Sequence, residues 1–143
     1  MKYLSKYKLF ENKDIKQDIE DIFISEIRDD FPEAQIKFTT PDKRYVRLPD
    51  RVIGHISDNA DVNDGENFFI IYQADKVFYS DNIKEFILRA KDFLGNRFIK
   101  LVWHGFDDGI ERTISAKKIT DKLKFKSMFI FDSWIDYFII YYN

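Results

Sequence analysis

Two histidines are the residues of this sequence best suited to acid–base chemistry, and each precedes an aspartate by three residues. The pairs are His55 with Asp58 and His104 with Asp107. An imidazole next to a carboxylate can accept and return a proton near neutral pH. Surface histidines on strands explain the same pattern more simply, so the sequence identifies no catalytic residue.

The residues that follow the two histidines differ in a way that matters for catalysis. His55-Ile56-Ser57 has the His-x-Ser pattern that two-histidine phosphoesterases use twice, with paired imidazoles as general base and general acid. The second segment, His104-Gly105-Phe106, lacks the hydroxyl. A phosphodiesterase-type enzyme that uses both histidines is therefore a third hypothesis, behind two kinds of binding protein.

The acidic segment between residues 58 and 66 is the strongest candidate for a cation site. Its carboxylates belong to Asp58, Asp61, Asp64 and Glu66. A helix–loop–helix calcium loop needs Gly at its sixth position and Glu at its twelfth, whereas counting from Asn59 places Gly65 seventh and Ile70 twelfth. The chain also has no cysteine, which excludes disulfides, thiolate metal sites and thiol nucleophiles. We expect a solvated hairpin loop here, with no metal and no cofactor.

Two segments have the apolar periodicity of amphipathic helices. In Asn12–Asp30, isoleucines recur at helical spacing, and a following Phe-Pro pair ends the pattern because the residue before proline avoids helical dihedral angles. In Asn82–Leu94, Asn82 and Glu85 predict a capped start, and Gly95 suits the position after the last turn.

The remaining predicted elements are strands, separated by residues typical of turns. The strands are Glu33–Thr39, Val52–Ser57, Phe68–Tyr72, Val77–Tyr79, Phe98–Phe106, Ile110–Ala116, Lys122–Phe131 and Trp134–Tyr142. Thr40–Arg51 is a predicted loop, and Asp108-Gly109 is a hairpin signal. This order predicts a single α+β domain over residues 1–143, with two amphipathic helices packed on an antiparallel sheet of about five to seven strands.

Two basic segments, 43–51 and 117–126, could follow a phosphate backbone. The candidate residues are Lys43, Arg44, Tyr45, Arg47, Lys122, Lys124 and Lys126. Tyr45 would offer a ring on which a base can stack. The formal net charge of the chain is −2, so it lacks the basic excess that is usual in nucleic-acid-binding domains. A nucleic-acid-binding module is therefore the alternative hypothesis.

The first helix and the C-terminal strand are the candidate surfaces for a protein partner. Asp18 and Asp21 lie on the acidic side of the helix, which can dock on a basic partner. The strand contains Trp134, Tyr137 and Tyr141 and is apolar on both faces, and such aromatic residues are enriched at interfaces. Either a helix covers one face of this strand or the strand meets another chain, for example in a homodimer.

Three segments carry a resemblance to a known group of proteins. The opening Met1-Lys2-Tyr3-Leu4 … Leu9-Phe10-Glu11, the acidic helix at residues 18–23 and the later helix at residues 83–95 resemble small accessory proteins of tailed bacteriophages. The resemblance covers about half of the chain and brings no catalytic residues. It implies a protein made in an infected bacterium that inhibits a host protein or ribonucleoprotein complex, as an anti-CRISPR-like inhibitor does.

The apolar segments of the chain do not predict contact with a membrane. The first ten residues alternate lysines with apolar residues and lack the apolar run of a signal peptide. Residues 128–142 are interrupted by Asp132 and Asp136 and are shorter than the ~20 residues of a spanning helix. These segments predict a cytoplasmic protein. Together with the resemblance to phage accessory proteins, they lead us to expect a non-enzymatic protein that inhibits a host factor by stoichiometric binding in the host cell.

Overall fold

A computed structural model describes residues 15–39, 45–54, 67–74, 76–119 and 134–143 of the chain. Its helices are α1 (residues 15–23, continued by a π-helix over Ile24–Arg28), α2 (Ser80–Leu94) and the short α3 (Ala116–Ile119). Its strands are β1 (Ala34–Phe38), β2 (Tyr45–Arg47), β3 (Val52–Gly54), β4 (Asn67–Gln73), β5 (Phe78–Tyr79), β6 (Phe98–Gly105), β7 (Glu111–Ser115) and β8 (Trp134–Tyr142). The predicted α+β class is confirmed.

Six strands form the main sheet, in the order β1-β4-β8-β6-β7, with β5 beside β8. Every pair is antiparallel, and β2 and β3 form a separate hairpin. The C-terminal strand β8 lies in the middle of the sheet, where Tyr137 is opposite both Tyr72 on β4 and His104 on β6. Both backbone edges of β8 are therefore occupied within the monomer over most of its length.

The helices cover one face of the main sheet, which we call the helix face. Phe86 of α2 is fully buried there. Its ring makes edge-to-face contacts with Phe23 of α1 and with Phe69 and Phe138 of the sheet, at centroid distances of 6.5, 6.3 and 5.8 Å. Such aromatic contacts add to the free energy gained by burying apolar area. Phe86 thus joins both helices to the sheet.

The β2–β3 hairpin covers part of the opposite face, which we call the hairpin face. Val46 and Leu48 are buried there against the alternate side chains of β4, β6 and β8. These side chains are Phe68, Ile70, Tyr72, Val102, Tyr137 and Ile139. The two apolar faces of β8 are therefore explained by cover from the helices on one side and from the hairpin on the other.

The prediction of a loop over Thr40–Arg51 is wrong at β2, because this strand is too short to be recognised from its pattern. Val46 points into the hairpin-face core, while Arg47 is exposed and Tyr45 is half-buried. A three-residue strand gives too short an alternation to be recognised between two prolines. Leu48 continues the buried side, and its N–H donates to the carbonyl of Arg51 at 2.8 Å to close the turn.

Helix α2 begins earlier than predicted and without the expected cap. The residue before its first turn is Tyr79, which makes no side-chain capping bond, so the predicted role of Asn82 as a cap is wrong. The predicted end is confirmed: Gly95 has φ +56° and its N–H donates to the carbonyl of Lys91. A positive φ favours glycine because it has no Cβ.

The remaining elements predicted from the sequence compare with the structure as follows. The first predicted helix ends before proline, with the N–H of Phe31 donating to the carbonyl of Ile27 at 2.8 Å. The predicted strand Ile110–Ala116 gives way to α3 at its last residue. The predicted strand Lys122–Phe131 and the acidic segment at residues 58–66 lie outside the described residues. In the described part of the chain, the helices are all too short or too polar to cross a membrane.

Candidate functional site

A β-bulge on β8 determines the direction of Asp136. His104 is opposite Tyr137 and Gly105 is opposite Ile135, so Asp136 is an extra residue between two paired positions. An extra residue in one strand re-aims a side chain relative to the regular alternation. Asp136 thereby contacts Arg51 on the hairpin face, where its neighbour Tyr137 is also buried, whereas a regular strand would place these two side chains on opposite faces.

Asp136 and three nearby side chains form a group that we call the Tyr137 cluster: Arg51, His104, Asp136 and Tyr137. Nη2 of Arg51 lies 2.9 Å from Oδ2 of Asp136. The guanidinium also lies 5.4 Å from the centre of the Tyr137 ring. The imidazole of His104 stacks on that ring at 5.1 Å, within 6° of parallel. The cluster therefore links the hairpin to the centre of the main sheet.

The carboxylate next to His104 is that of Asp136, and not that of Asp107 three residues further along. Nδ1 of His104 lies 3.4 Å from Oδ2 of Asp136. This contact lacks hydrogen-bond geometry, and the buried Nδ1 has no hydrogen-bond partner among the described residues. His55 lies outside the described residues, so the paired-imidazole arrangement of the third hypothesis stays a prediction.

Arg51 and Asp50 stabilise each other's charged forms. Its hydrogen bond to Asp50, at 3.2 Å, holds the pKa of that carboxyl below its usual range. The same bond and the nearby charge of Asp136 raise the pKa of Arg51. Burial raises the pKa of the Tyr137 phenol, with a smaller contribution from the charge of Glu111, so this hydroxyl stays neutral. One guanidinium thus faces two carboxylates and a neutral ring.

A cavity of about 470 Å³ opens beside the Tyr137 cluster. It lies between the turn of the hairpin, the segment after β4 and the end of β6. Its lining residues are Leu48, Pro49, Asp50, Arg51, Tyr72, Gln73, Ala74, Lys76, Val77, Phe106, Asp136 and Tyr137. This volume falls in the usual range for small-ligand sites, which are lined by aromatic and apolar residues with a few polar groups.

Three large apolar side chains are exposed at the same end of the sheet, and we call Phe106, Ile110 and Trp134 the apolar end. Their side chains are 57%, 51% and 45% exposed. The N–H of Phe106 donates to the carbonyl of Trp134 at 2.9 Å, and the N–H of Gly105 donates to the carbonyl of Ile110 at 3.0 Å. These backbone bonds place residues from two segments of the chain at one end of the sheet.

The predicted partner-binding residues of the C-terminal strand have different surroundings. Trp134 belongs to the apolar end, where its ring packs edge-on against Tyr79 at 5.1 Å. Tyr137 is only 4% exposed and Tyr141 is half-buried, with Nζ of Lys100 4.6 Å from its ring centre. Of the three predicted residues, Trp134 alone presents a large exposed ring. A homodimer through the backbone of this strand would meet edges that β4 and β6 already occupy.

The predicted acidic residues of the first helix form a separate surface. Asp18 and Asp21 are exposed on α1, and Asp21 accepts a hydrogen bond from the Gln17 amide at 3.0 Å. The helix packs against α2 and beside β1, which is an edge strand. No contact in the described part of the chain joins these aspartates to Trp134, so the two predicted surfaces are not brought together.

The basic residues predicted to contact nucleic acid are only partly described. Tyr45 and Arg47 lie on β2 and, together with Lys37 and Phe38 of β1, line a cleft of about 390 Å³. Nζ of Lys37 donates to the carbonyl of Arg47 at 2.9 Å, and Nζ of Lys16 lies 5.9 Å from the Phe38 ring centre. Lys43, Arg44, Lys122, Lys124 and Lys126 lie outside the described residues.

Sequence reasoning missed the functional candidates that depend on tertiary structure. Phe106 and Ile110 flank the Asp-Asp-Gly turn, and an apolar residue on each side of a turn signal was the available clue. Asp136 was visible as a lone charge in an apolar strand, which is a pattern that bulges can produce. Arg51 belongs to the basic segment 43–51, and nothing in the sequence points to its contact with Asp136.

The described residues contain no group of three histidine, cysteine or acidic side chains that could hold a metal ion. The acidic segment considered for a cation lies outside them. No protein-family model, no curated protein and no solved structure matches this chain. The support for a function therefore comes from the geometry of the apolar end, the cavity and the basic cleft.

Proposed function

We propose that this protein acts by stoichiometric binding to a protein partner and that the apolar end is the centre of the contact. The supporting observation is that Phe106, Ile110 and Trp134, each about half exposed, lie at the same end of the sheet, where backbone hydrogen bonds join their segments. Exposed apolar side chains that cluster on a surface are typical of sites of protein–protein contact. Tryptophan is also among the residues whose truncation most weakens interfaces.

The charges around the apolar end favour a basic partner. Asp108 is neutralised by Arg112, whose Nη2 lies 2.6 Å from its Oδ2. Asp107 and Glu111 are exposed and have no ion-pair partner among the described residues. An acidic border complements a positively charged surface and discriminates against acidic competitors. The partner we propose therefore has an apolar pocket or ridge surrounded by lysines and arginines.

Surfaces that bind nucleic acid are rich in lysines and arginines, as the proposed partner's surface is. The resemblance to phage accessory proteins implies that the partner belongs to an infected bacterium. We therefore propose occlusion of a nucleic-acid-binding host protein or ribonucleoprotein complex, such as a defence nuclease, in the host cytoplasm. The action requires no chemistry by this chain, because a bound inhibitor blocks the site by occupying it.

Capture from a bacterial lysate tests this function. Tagged wild-type protein is compared with a Phe106→Ser, Ile110→Ser double variant and with Phe93→Ser, which removes an exposed phenylalanine from α2. We expect the wild type and Phe93→Ser to retain the same partner in a fixed stoichiometric ratio after nuclease treatment. The double variant should bind it roughly 30-fold more weakly or worse, since losing a central anchor costs about 2 kcal/mol or more. Equal capture by all three proteins would contradict the proposal.

The acidic side of α1 has a different expected role. Asp18→Lys with Asp21→Lys reverses two exposed charges far from the packed core. If the partner is basic, we expect a slower association rate with little change in dissociation, because long-range attraction acts mainly on the encounter. Surface plasmon resonance with the captured partner separates the two rates, and an unchanged association rate at low salt would exclude this role.

A second candidate function follows from the basic cleft between β1 and β2. Three cations, on Lys16, Lys37 and Arg47, lie near the rings of Phe38 and Tyr45. Cations beside aromatic rings are the usual elements of single-strand nucleic-acid binding. This function predicts binding of a fluorescent single-stranded RNA that weakens steeply with salt. Arg47→Glu should abolish that binding while Lys91→Glu on α2 leaves it, and equal effects of the two variants would exclude the cleft.

A further inference from the structure

We propose that the cavity beside the Tyr137 cluster receives an arginine side chain of the protein partner. This inference rests on the proposed function and deepens it. Phe106 links the cavity to the proposed contact surface, because it lines the cavity and also belongs to the apolar end. A partner docked on the apolar end would therefore stand at the mouth of the cavity.

The charges that line the cavity leave a negative excess. Of its four charged residues, Lys76 is offset by Glu33, with 3.2 Å between Nζ and Oε2. The guanidinium of Arg51 is shared by Asp50 and Asp136, at 3.2 and 2.9 Å. One cation therefore faces two carboxylates, and a single negative charge remains among the described residues. A cationic group is the complement of this arrangement.

The geometry of the two carboxylates favours a group with several N–H donors. Both contact Arg51 through Oδ2, which leaves Oδ1 of each carboxylate as a further acceptor. A guanidinium presents five N–H donors in a planar fork, whereas an ammonium is a compact point charge. Asp50 and Asp136 both line the cavity, so a second guanidinium that enters it would meet the same two side chains that hold Arg51.

The aromatic walls favour the same occupant. The rings of Tyr72, Phe106 and Tyr137 line the cavity. Cations already lie over two of these rings within the fold, Lys37 at 5.7 Å from Tyr72 and Arg51 at 5.4 Å from Tyr137. The exposed ring of Phe106 remains for a flat cation that enters from outside, and guanidinium groups stack well on such rings. The negative charge of the cavity, its carboxylate acceptors and its aromatic walls all favour the side chain of arginine.

Titration of the isotope-labelled full chain with small probes tests the cavity directly. The probes are N-acetyl-arginine amide, the lysine analogue and the uncharged citrulline analogue. We expect the arginine probe to shift the backbone NMR signals of Gln73, Val77 and Phe106 with a Kd of roughly millimolar, as for a small ligand. Citrulline should give no shift, and lysine should bind more weakly. Equal binding of lysine or citrulline, or shifts elsewhere on the chain, would overturn the assignment.

Variants of the cavity carboxylates provide the second arm of the test. Asp136→Asn and Asp50→Asn each remove the excess negative charge and should weaken arginine binding about tenfold. Asp92→Asn makes the same change at an exposed position of α2 and should leave binding unaltered. If Asp136→Asn disturbs folding, Asp50→Asn still decides the question, because Asp50 is largely exposed. Unchanged binding in both cavity variants would overturn the inference.

The experiments distinguish failure of the arginine site in the cavity from failure of the partner contact at the apolar end. Shifts of the cavity signals by the arginine probe support the inference even if lysate capture identifies no partner for the apolar end. Absence of such shifts overturns it even if capture succeeds and depends on Phe106 and Ile110. The probe titration is therefore independent of the partner's identity.

Discussion

Tyr137 and His104 lie opposite each other on neighbouring strands, and their rings stack 5.1 Å apart within 6° of parallel. The same tyrosine ring lies under the guanidinium of Arg51, and Asp136 contacts both Arg51 and His104. The β-bulge that offsets Asp136 from the regular alternation makes this arrangement possible. A single irregularity in β8 therefore positions a charged group between the hairpin and the sheet and forms one wall of the cavity.

Asp136→Asn should destabilise the fold more than Asp50→Asn, although both carboxylates contact the same guanidinium. The Asp136 side chain is 23% exposed, whereas the Asp50 side chain is 69% exposed and its attraction to Arg51 is weakened by solvent. We expect Asp136→Asn to lower the free energy of unfolding by about 1 kcal/mol and Asp50→Asn by less than about 0.5 kcal/mol. Urea denaturation measures both values, and equal losses would contradict the role of burial.

The elements that sequence predicted well are those with a long and regular pattern. Helix α2 and strand β8 extend over many residues, and the apolar stripe of α2 and the apolar run of β8 define them almost without ambiguity. The pattern could not show that β8 lies in the middle of the sheet. Position within a sheet depends on contacts between segments far apart in the chain, such as Tyr72 with Tyr137, which a single sequence does not reveal.

The candidate site was harder to predict because it consists of irregular features. The strand β2 has three residues, and the bulge at Asp136 interrupts an otherwise apolar strand. Spacing in the sequence pairs His104 with Asp107, but its strand partner is Tyr137 and the nearby carboxylate is that of Asp136. Residues close in sequence were the natural candidates, whereas the bulge and the hairpin brought together residues from three distant segments.

Gly105→Ala should distort the turn that carries the apolar end. A Cβ at Gly105 would overlap Oδ1 of Asp108 and would lie 3.0 Å from Nη1 of Arg112. That carboxylate oxygen also accepts a hydrogen bond from the N–H of Ile110 at 2.9 Å, so it cannot move without loss. We expect a loss of about 1–3 kcal/mol in the free energy of unfolding, as for other overpacked sites.

A double-mutant cycle provides the control for this turn. Asp108→Ala removes the oxygen that the new methyl group would meet. Gly105→Ala should therefore cost much less when it is made in the Asp108→Ala background than in the wild type, which is the sign of a direct contact. Equal costs in the two backgrounds, measured by urea denaturation, would show that the strain arises elsewhere.

Phe86→Ala should be among the most destabilising substitutions on the helix face. Its fully buried ring contacts Phe23, Phe69 and Phe138, so truncation removes apolar burial and leaves a cavity at the junction of two helices and the sheet. We expect a loss of about 3–5 kcal/mol. Phe93→Ala on the same helix makes the same chemical change at an exposed ring and should cost less than about 1 kcal/mol. Similar thermal midpoints for the two variants would contradict this description of the core.

The stability of the protein should decline on the alkaline side in a way that depends on Tyr142. Burial raises the pKa of its phenol above the ordinary value of 10.0, although the charge of Arg97 opposes the shift. The unfolded chain therefore loses this proton at a lower pH than the folded chain does. Between the two pKa values the folded state binds more protons, so the free energy of unfolding falls as pH rises through that window. At neutral pH the phenol is protonated in both states, so its titration does not change the free energy of unfolding there.

Tyr142→Phe removes this contribution, and comparison with the wild type measures it. The difference in unfolding free energy between the two proteins should be constant from pH 7 to about pH 9 and should then shift in favour of the variant as the pH rises above about 10. Denaturant titrations at fixed ionic strength across this range give both curves. The comparison isolates one hydroxyl, because the two proteins differ only in that group. Curves that stay parallel up to pH 11 would show that the phenol of Tyr142 is not held neutral by burial beside Phe69 and Phe98.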